Sequence, residues 1–247
     1  MDDKEFERLL LSVQKPGRYS GGEINSVVKD KNKVDVRFAF CFPDTYEIGM
    51  SHLGIKILYS QFNEREDIWC ERVFAPCEDF EKIMREKNIP LFGLESRDSI
   101  RDFDFIGFTL QYEMSYTNIL NMLDLAGVPL RAADRTELSP LVVAGGPCCS
   151  NAEPIADFFD LFFLGEGEEV DLEVIDLYKE YKKQGKGKRE FLRAAAQIEG
   201  VYVPSLYDVS YNADGTVNAI TPLDGAPAKI RKRIIKDLDT YYFPAKP

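Results

Sequence analysis

The sequence predicts an α/β fold in which a doubly wound, parallel sheet is covered by helices on both faces. Three observations carry this. Strand-like and helix-like stretches alternate from Val34 to about Gly185. Some strand candidates, residues 103–108 above all, are almost continuously apolar, as suits strands that meet no water on either face. Glycine-bearing turns at Gly145-Gly146 and Gly165-Glu166-Gly167 follow directly on apolar strands.

The elements follow in order. Residues 1–33 read as an arm outside the core: a short amphipathic stretch carries Phe6, Leu9, Leu10 and Val13, and Pro16, Gly17, Gly21 and Gly22 then break the chain. Residues 34–42 form a β-rich strand that Pro43-Asp44 ends, and a helix runs over about 49–63. Strand 68–75, helix 78–87, an extended piece at 91–94 and the buried strand 103–110 come next, followed by a helix over 113–126. Strand 141–144, a turn and short helix over 145–158, strand 161–164 and a long helix from Gly167 complete an α/β domain at 34–185. Residues 186–225 are predicted as an appendage, with a helix at 189–197 and a hairpin turning at Asn212-Ala213-Asp214-Gly215. Residues 226–247, with Pro227, Pro244 and Pro247 among basic residues, read as an exit linker.

Composition narrows the function classes. A formal charge of −11 argues against a general nucleic-acid binder, and the basic stretches 179–193 and 229–236 read first as solvated surface. The start of the chain lacks the charged end and apolar core of a signal peptide, and the sequence has no apolar run long enough to span a membrane, so a cytoplasmic protein is expected. Five cysteines, Cys41, Cys70, Cys77, Cys148 and Cys149, lack regular spacing and are expected as free thiols.

In a sheet of this kind ligands sit beyond the carboxyl ends of the strands, so the turns there are the candidate sites. The first holds Asp44, Tyr46, Gly49, Ser51 and His52. His52, the only histidine, is expected to cap or hydrogen-bond locally. A second group, Gln111, Tyr112 and Glu113, follows the strand 103–110. The turn Gly145-Gly146-Pro147 removes side chains where a ligand or another backbone can approach, with Ser150 or Asn151 placed to cap the next helix. The last turn, Gly165-Glu166-Gly167-Glu168, is too acidic for a pyrophosphate cradle, although Glu166 can accept hydrogen bonds from hydroxyls or amides. Neither a Walker sequence nor a Gly-x-Gly-x-x-Gly after the first strand is present, which weighs against nucleotide hydrolases and dinucleotide enzymes.

Taken together, Arg18-Tyr19-Ser20-Gly21-Gly22-Glu23, Pro43-Asp44-Thr45-Tyr46-Glu47-Ile48-Gly49-Met50-Ser51, Gly145-Gly146-Pro147 with Asn151-Ala152-Glu153-Pro154, and Gly165-Glu166-Gly167-Glu168 resemble the amino-terminal part of cobalamin-binding-domain radical S-adenosylmethionine proteins. The resemblance implies a flavodoxin-like, Rossmann-like sheet and cobalamin as the candidate cofactor. It assigns cofactor contact to Asp44, Tyr46, Gly49, Ser51, His52, Gln111, Tyr112, Glu113, Gly145, Gly146, Pro147, Gly165, Glu166, Gly167 and Glu168. Tyr46 stands where the Asp-x-His-x-x-Gly motif of such domains has a cobalt-ligating histidine, and a neutral phenol is a poor ligand, so any cobalamin is expected without an axial histidine from this motif.

The family's Cys-x-x-x-Cys-x-x-Cys, which holds a [4Fe–4S] cluster that cleaves S-adenosylmethionine, does not occur in the sequence. The resemblance therefore places the cluster and S-adenosylmethionine in a partner radical domain of the full-length protein, absent from this chain, and leaves the present chain non-catalytic by itself. Two other readings stay open. One is a degenerate interaction or scaffold domain whose cleft is filled by side chains such as Tyr46, Met50 and Tyr112. The other is a free-standing enzyme using Asp44, Glu47, His52 or Glu113 in acid–base roles.

Overall fold

The computed structural model describes residues 3–241 and 243. Six strands form one sheet in the order β2-β1-β3-β4-β5-β6: β1 (Val36–Phe42), β2 (Ile68–Phe74), β3 (Phe105–Thr109), β4 (Leu141–Gly145), β5 (Leu161–Phe163) and β6 (Val201–Tyr202). The pairs β1–β2, β1–β3 and β4–β5 are parallel, while β6 runs antiparallel to β5. The order of the first five is the flavodoxin order, whose direction of winding reverses between β1 and β3. Helices flank the sheet, so the predicted α/β class holds.

The chain divides into two compact units. The first comprises the described residues up to Thr109 and those of Met114–Leu130; the second comprises Leu110–Glu113 and Arg131–Tyr241. In the first unit every residue of β1 and β2 is buried. Phe38 stacks on Phe105 at 5.6 Å and meets Phe62 edge-on at 5.0 Å, which locks β1 between its neighbour and a helix. Arg37 and Glu71 are buried on these strands as an ion pair, and Asp98 also accepts from the Arg37 guanidinium at 2.8 Å. Burial of such charges is tolerable only because they are paired.

Three expectations change here. The arm is part of the core: α1 (Asp3–Leu10) buries Phe6, Leu9 and Leu10, and Val13 and Tyr19 are buried after it. Phe6 meets Phe92 edge-on at 5.7 Å, and Tyr19 stacks on Phe80 at 4.3 Å. The helix expected over 49–63 is two helices, α2 (Tyr46–Ser51) and α3 (Leu53–Glu64), because His52 takes extended dihedrals and its Nδ1 accepts from Ile55 N at 3.4 Å. The piece expected at 91–94 makes a single bridge, Phe92 to Ser99. The helix α4 (Glu78–Lys87) ends at left-handed Asn88, and α5 (Tyr116–Ala126) ends at left-handed Gly127.

In the second unit, α6 (Gly167–Lys183) packs Val170, Asp171, Val174, Ile175 and Tyr178 inward. Its first turn carries Glu168 and Glu169 and its last Lys182 and Lys183, matching the helix dipole at both ends. The segment predicted as an appendage contributes α7 (Lys188–Ala195) and the sheet strand β6, and only the hairpin of β7 (Tyr207–Tyr211) and β8 (Val217–Pro222) forms a separate two-stranded sheet. The predicted linker is docked where it is described, with Ala226 and Ile235 buried; Pro244 and Pro247 lie outside the described residues. The five cysteines are free thiols. No helix among the described residues is long and apolar enough to cross a membrane.

Candidate functional site

In the first unit the turn after β1 is built from local hydrogen bonds. Asp44 Oδ1 accepts from Thr45 N at 2.7 Å, Asn118 Nδ2 donates to Pro43 O at 3.0 Å, and Ser51 Oγ donates back to Ile48 O at 3.2 Å. The Tyr46 hydroxyl donates to Glu23 Oε1 at 3.1 Å, and its ring meets Phe74 edge-on. Glu47 accepts from Arg18 at 2.9 Å and Lys15 at 3.1 Å, and the Arg18 hydrogen bond chiefly draws its carboxyl down to about 2. Arg72 donates to Glu23 at 3.3 Å and to Glu95 at 2.7 Å. The Arg18–Glu23 motif and the Pro43–Ser51 motif therefore hold each other, and the arm loop serves its own unit.

Gly49 lacks a side chain for a packing reason. A Cβ there would collide with the Phe74 ring and stand 3.2 Å from Phe42 Cβ. Two of the acid–base candidates are engaged locally in this unit. Glu47 is committed to Arg18, and His52 caps α3.

In the second unit Gln111, Tyr112, Glu113 and the turn Gly145-Gly146-Pro147 come together. Leu110 N donates to Gly145 O at 2.7 Å and Cys148 N to Leu110 O at 3.0 Å. Gly146 has φ +104°, and a Cβ there would lie 2.9 Å from Leu110 O and 3.0 Å from Gln111 Nε2, so its own neighbour fills the space a glycine leaves. Burial, and then the charge of Glu113 beside it, raise the Cys148 thiol above its ordinary value. Tyr112 is 59% exposed. Neither Ser150 nor Asn151 caps the following turn: its N-cap is Ala152, without a side-chain bond.

The turn Gly165-Glu166-Gly167-Glu168 is engaged by the chain's own segment around Arg233. Gly165 has φ +105° and forms a parallel bridge to Arg233, whose carbonyl a Cβ at Gly165 would strike. Arg233 N donates to Leu164 O at 2.7 Å, Glu166 N donates to Arg233 O at 3.2 Å, and the Glu166 carboxylate accepts from Ile235 N. The Arg233 guanidinium meets Glu169 at 2.8 Å and also Glu173, and the Tyr241 hydroxyl donates to Glu169.

Two features escaped the motif reading. Asp171 is 7% exposed, its Oδ1 has no hydrogen-bond partner, and burial pushes its carboxyl well above the ordinary range, with repulsion from Glu168 adding to this. Its signal was available, because Asp171 shares the apolar helix face of Val174, Ile175 and Tyr178. The other is a buried ion cluster: Asp160 accepts from Lys188 at 2.7 Å, Arg135 at 3.2 Å and Val142 N at 2.8 Å. No sequence pattern joins these distant residues.

Fitting cobalamin to these turns gives a divided result. Neither Tyr46 nor His52 offers an axial ligand, since the phenol is bonded to Glu23 and the imidazole caps a helix. Gly49, Gly146 and Gly165 admit Phe74, Leu110-Gln111 and Arg233 respectively. An axial-histidine site does not fit.

Among known proteins, the chain is 30% identical over 161 residues, 61% of its length, to an uncharacterized protein of Methanocaldococcus jannaschii. The match covers 30% of that relative, so the chain spans under a third of its length. Among solved structures it is similar to the radical S-adenosylmethionine methyltransferase TsrM of Kitasatospora setae, with a TM-score of 0.42 and 14% identity over 75% of this chain and 30% of that one. Residues 54–204 match the family of radical SAM proteins, N-terminal. That match takes in more than half of the sequence, and the chain belongs to the N-terminal family of radical S-adenosylmethionine proteins.

Proposed function

We propose that this chain is a cobalamin-binding-like accessory domain of a radical S-adenosylmethionine protein, and that the radical chemistry resides in a partner domain carrying the cluster cysteines. Beside family membership, one observation supports the reading. Within the first unit, α2 and the start of α3, which follow β1, leave Ile48 and Leu53 each 51% exposed, and large apolar side chains so placed suit a surface that a ligand or domain covers. Cobalamin would be held by its rim and tail, with no protein imidazole on cobalt.

A second reading has its own support. The space beside Gly49, Gly146 and Gly165 is filled from within, which favours a scaffold that binds no cobalamin. Hydroxocobalamin added to the purified chain separates the two. Retained corrin absorbance after desalting, without the spectral shift of imidazole coordination, supports the first; complete loss of colour supports the scaffold.

A further inference from the structure

A cleft in the second unit lies at the amino-terminal ends of its parallel strands, away from the glycine turns that follow β4 and β5. It measures about 1020 Å³ and is lined within the second unit by residues that precede β4 and β5, by the start of α7, and by the end of β6 and the residues after it. Because β6 runs antiparallel to β5, its end lies beside the amino-terminal ends of β4 and β5. The volume suits a small organic molecule.

The walls differ in chemistry. Tyr202, Tyr207 and Tyr211 line one side, with the Tyr202 and Tyr207 rings 5.2 Å apart and Tyr211 63% exposed. Lys188 and Arg135 line another, both nine-tenths buried, and share the single carboxylate of Asp160. The Lys188 ammonium donates to Arg135 O and to Asp160, both at 2.7 Å, which uses two of its three N–H groups. The other carboxylates of the cleft are already engaged: Glu153 accepts from Tyr202, and Asp157 pairs with Arg131 at 2.8 Å. Burial pushes both Lys188 and Arg135 below their ordinary values, the signature of cations that an incoming anion would relieve.

We propose that this cleft binds a small planar anion of the nucleoside monophosphate class, its ring against the tyrosines and its phosphate on the third N–H of Lys188. This reading does not rest on cobalamin binding. Titration calorimetry of the full chain with AMP, adenosine and inorganic phosphate tests it.

Saturable AMP binding in the millimolar range or tighter is expected, with adenosine at least about tenfold weaker. Lys188→Gln should weaken AMP about tenfold. Because that change also loosens Asp160, the exposed Tyr211→Ser serves as a second variant whose folding is not at stake. It should weaken AMP several-fold and leave inorganic phosphate unchanged. Absence of saturable AMP binding, adenosine binding as well as AMP, or AMP affinity indifferent to both substitutions overturns the proposal.

Discussion

Replacing Asp171 by Asn should stabilise the protein more and more as the pH rises. Burial, and then Glu168, hold the Asp171 carboxyl well above its ordinary value in the folded state, whereas in the unfolded chain it titrates normally. Between those two values the folded protein keeps a proton that the unfolded chain has released. Stability therefore falls with rising pH, by up to about 1.4 kcal/mol per unit for one proton. Asn does not titrate, so this slope disappears from the variant. Its amide brings two N–H donors into a site whose Oδ1 partner is already missing, a pH-independent cost of about 1–3 kcal/mol. The test is thus the change in the difference and not its sign at one pH. Urea unfolding of both proteins at successive pH values above about pH 4.5 should move that difference in favour of Asn, by up to about 1.4 kcal/mol per pH unit. A difference that stays flat over this window refutes the buried, protonated carboxyl.

Gly49→Ala should cost about 1–3 kcal/mol through displacement of the Phe74 ring, read as a lower melting temperature, and Phe74→Leu in the same chain should recover part of it; no loss would mean the ring has room to move. Gly165→Ala combines a left-handed dihedral with a collision on the Arg233 carbonyl, so it should loosen residues 229–241, cost about 1–3 kcal/mol and speed their cleavage in limited proteolysis. Cleavage at the wild-type rate would show that the segment is held elsewhere.

The parallel sheet was legible because its signals are local: continuous apolar strands, helix periodicity between them and Gly127 past the end of a helix. The burial of α1 was not, since Phe6 finds Phe92 and Tyr19 finds Phe80 only after the intervening chain has folded back. The break at His52 depends on a ring nitrogen accepting from Ile55, a geometry that composition does not encode. The motif glycines taught a narrower lesson. A glycine announces that something approaches its backbone closely, and at Gly49, Gly146 and Gly165 the visitor is Phe74, Leu110-Gln111 and Arg233. The sequence alone could not tell these from a cofactor. The cluster of Arg135, Asp160 and Lys188 was invisible because its members share no pattern and meet only in space.

The docking of the first helix carries a consequence for how the chain matures. During synthesis Phe6 and Leu9 emerge long before Phe92, the ring against which Phe6 packs, so their apolar face waits unattended while β1, β2 and α4 are completed. The same segment then clamps the turn after β1 through Arg18 and Glu23. This segment thus finds its packing partner only once Phe92 has been made, and its contacts tie the turn after β1 to that later step.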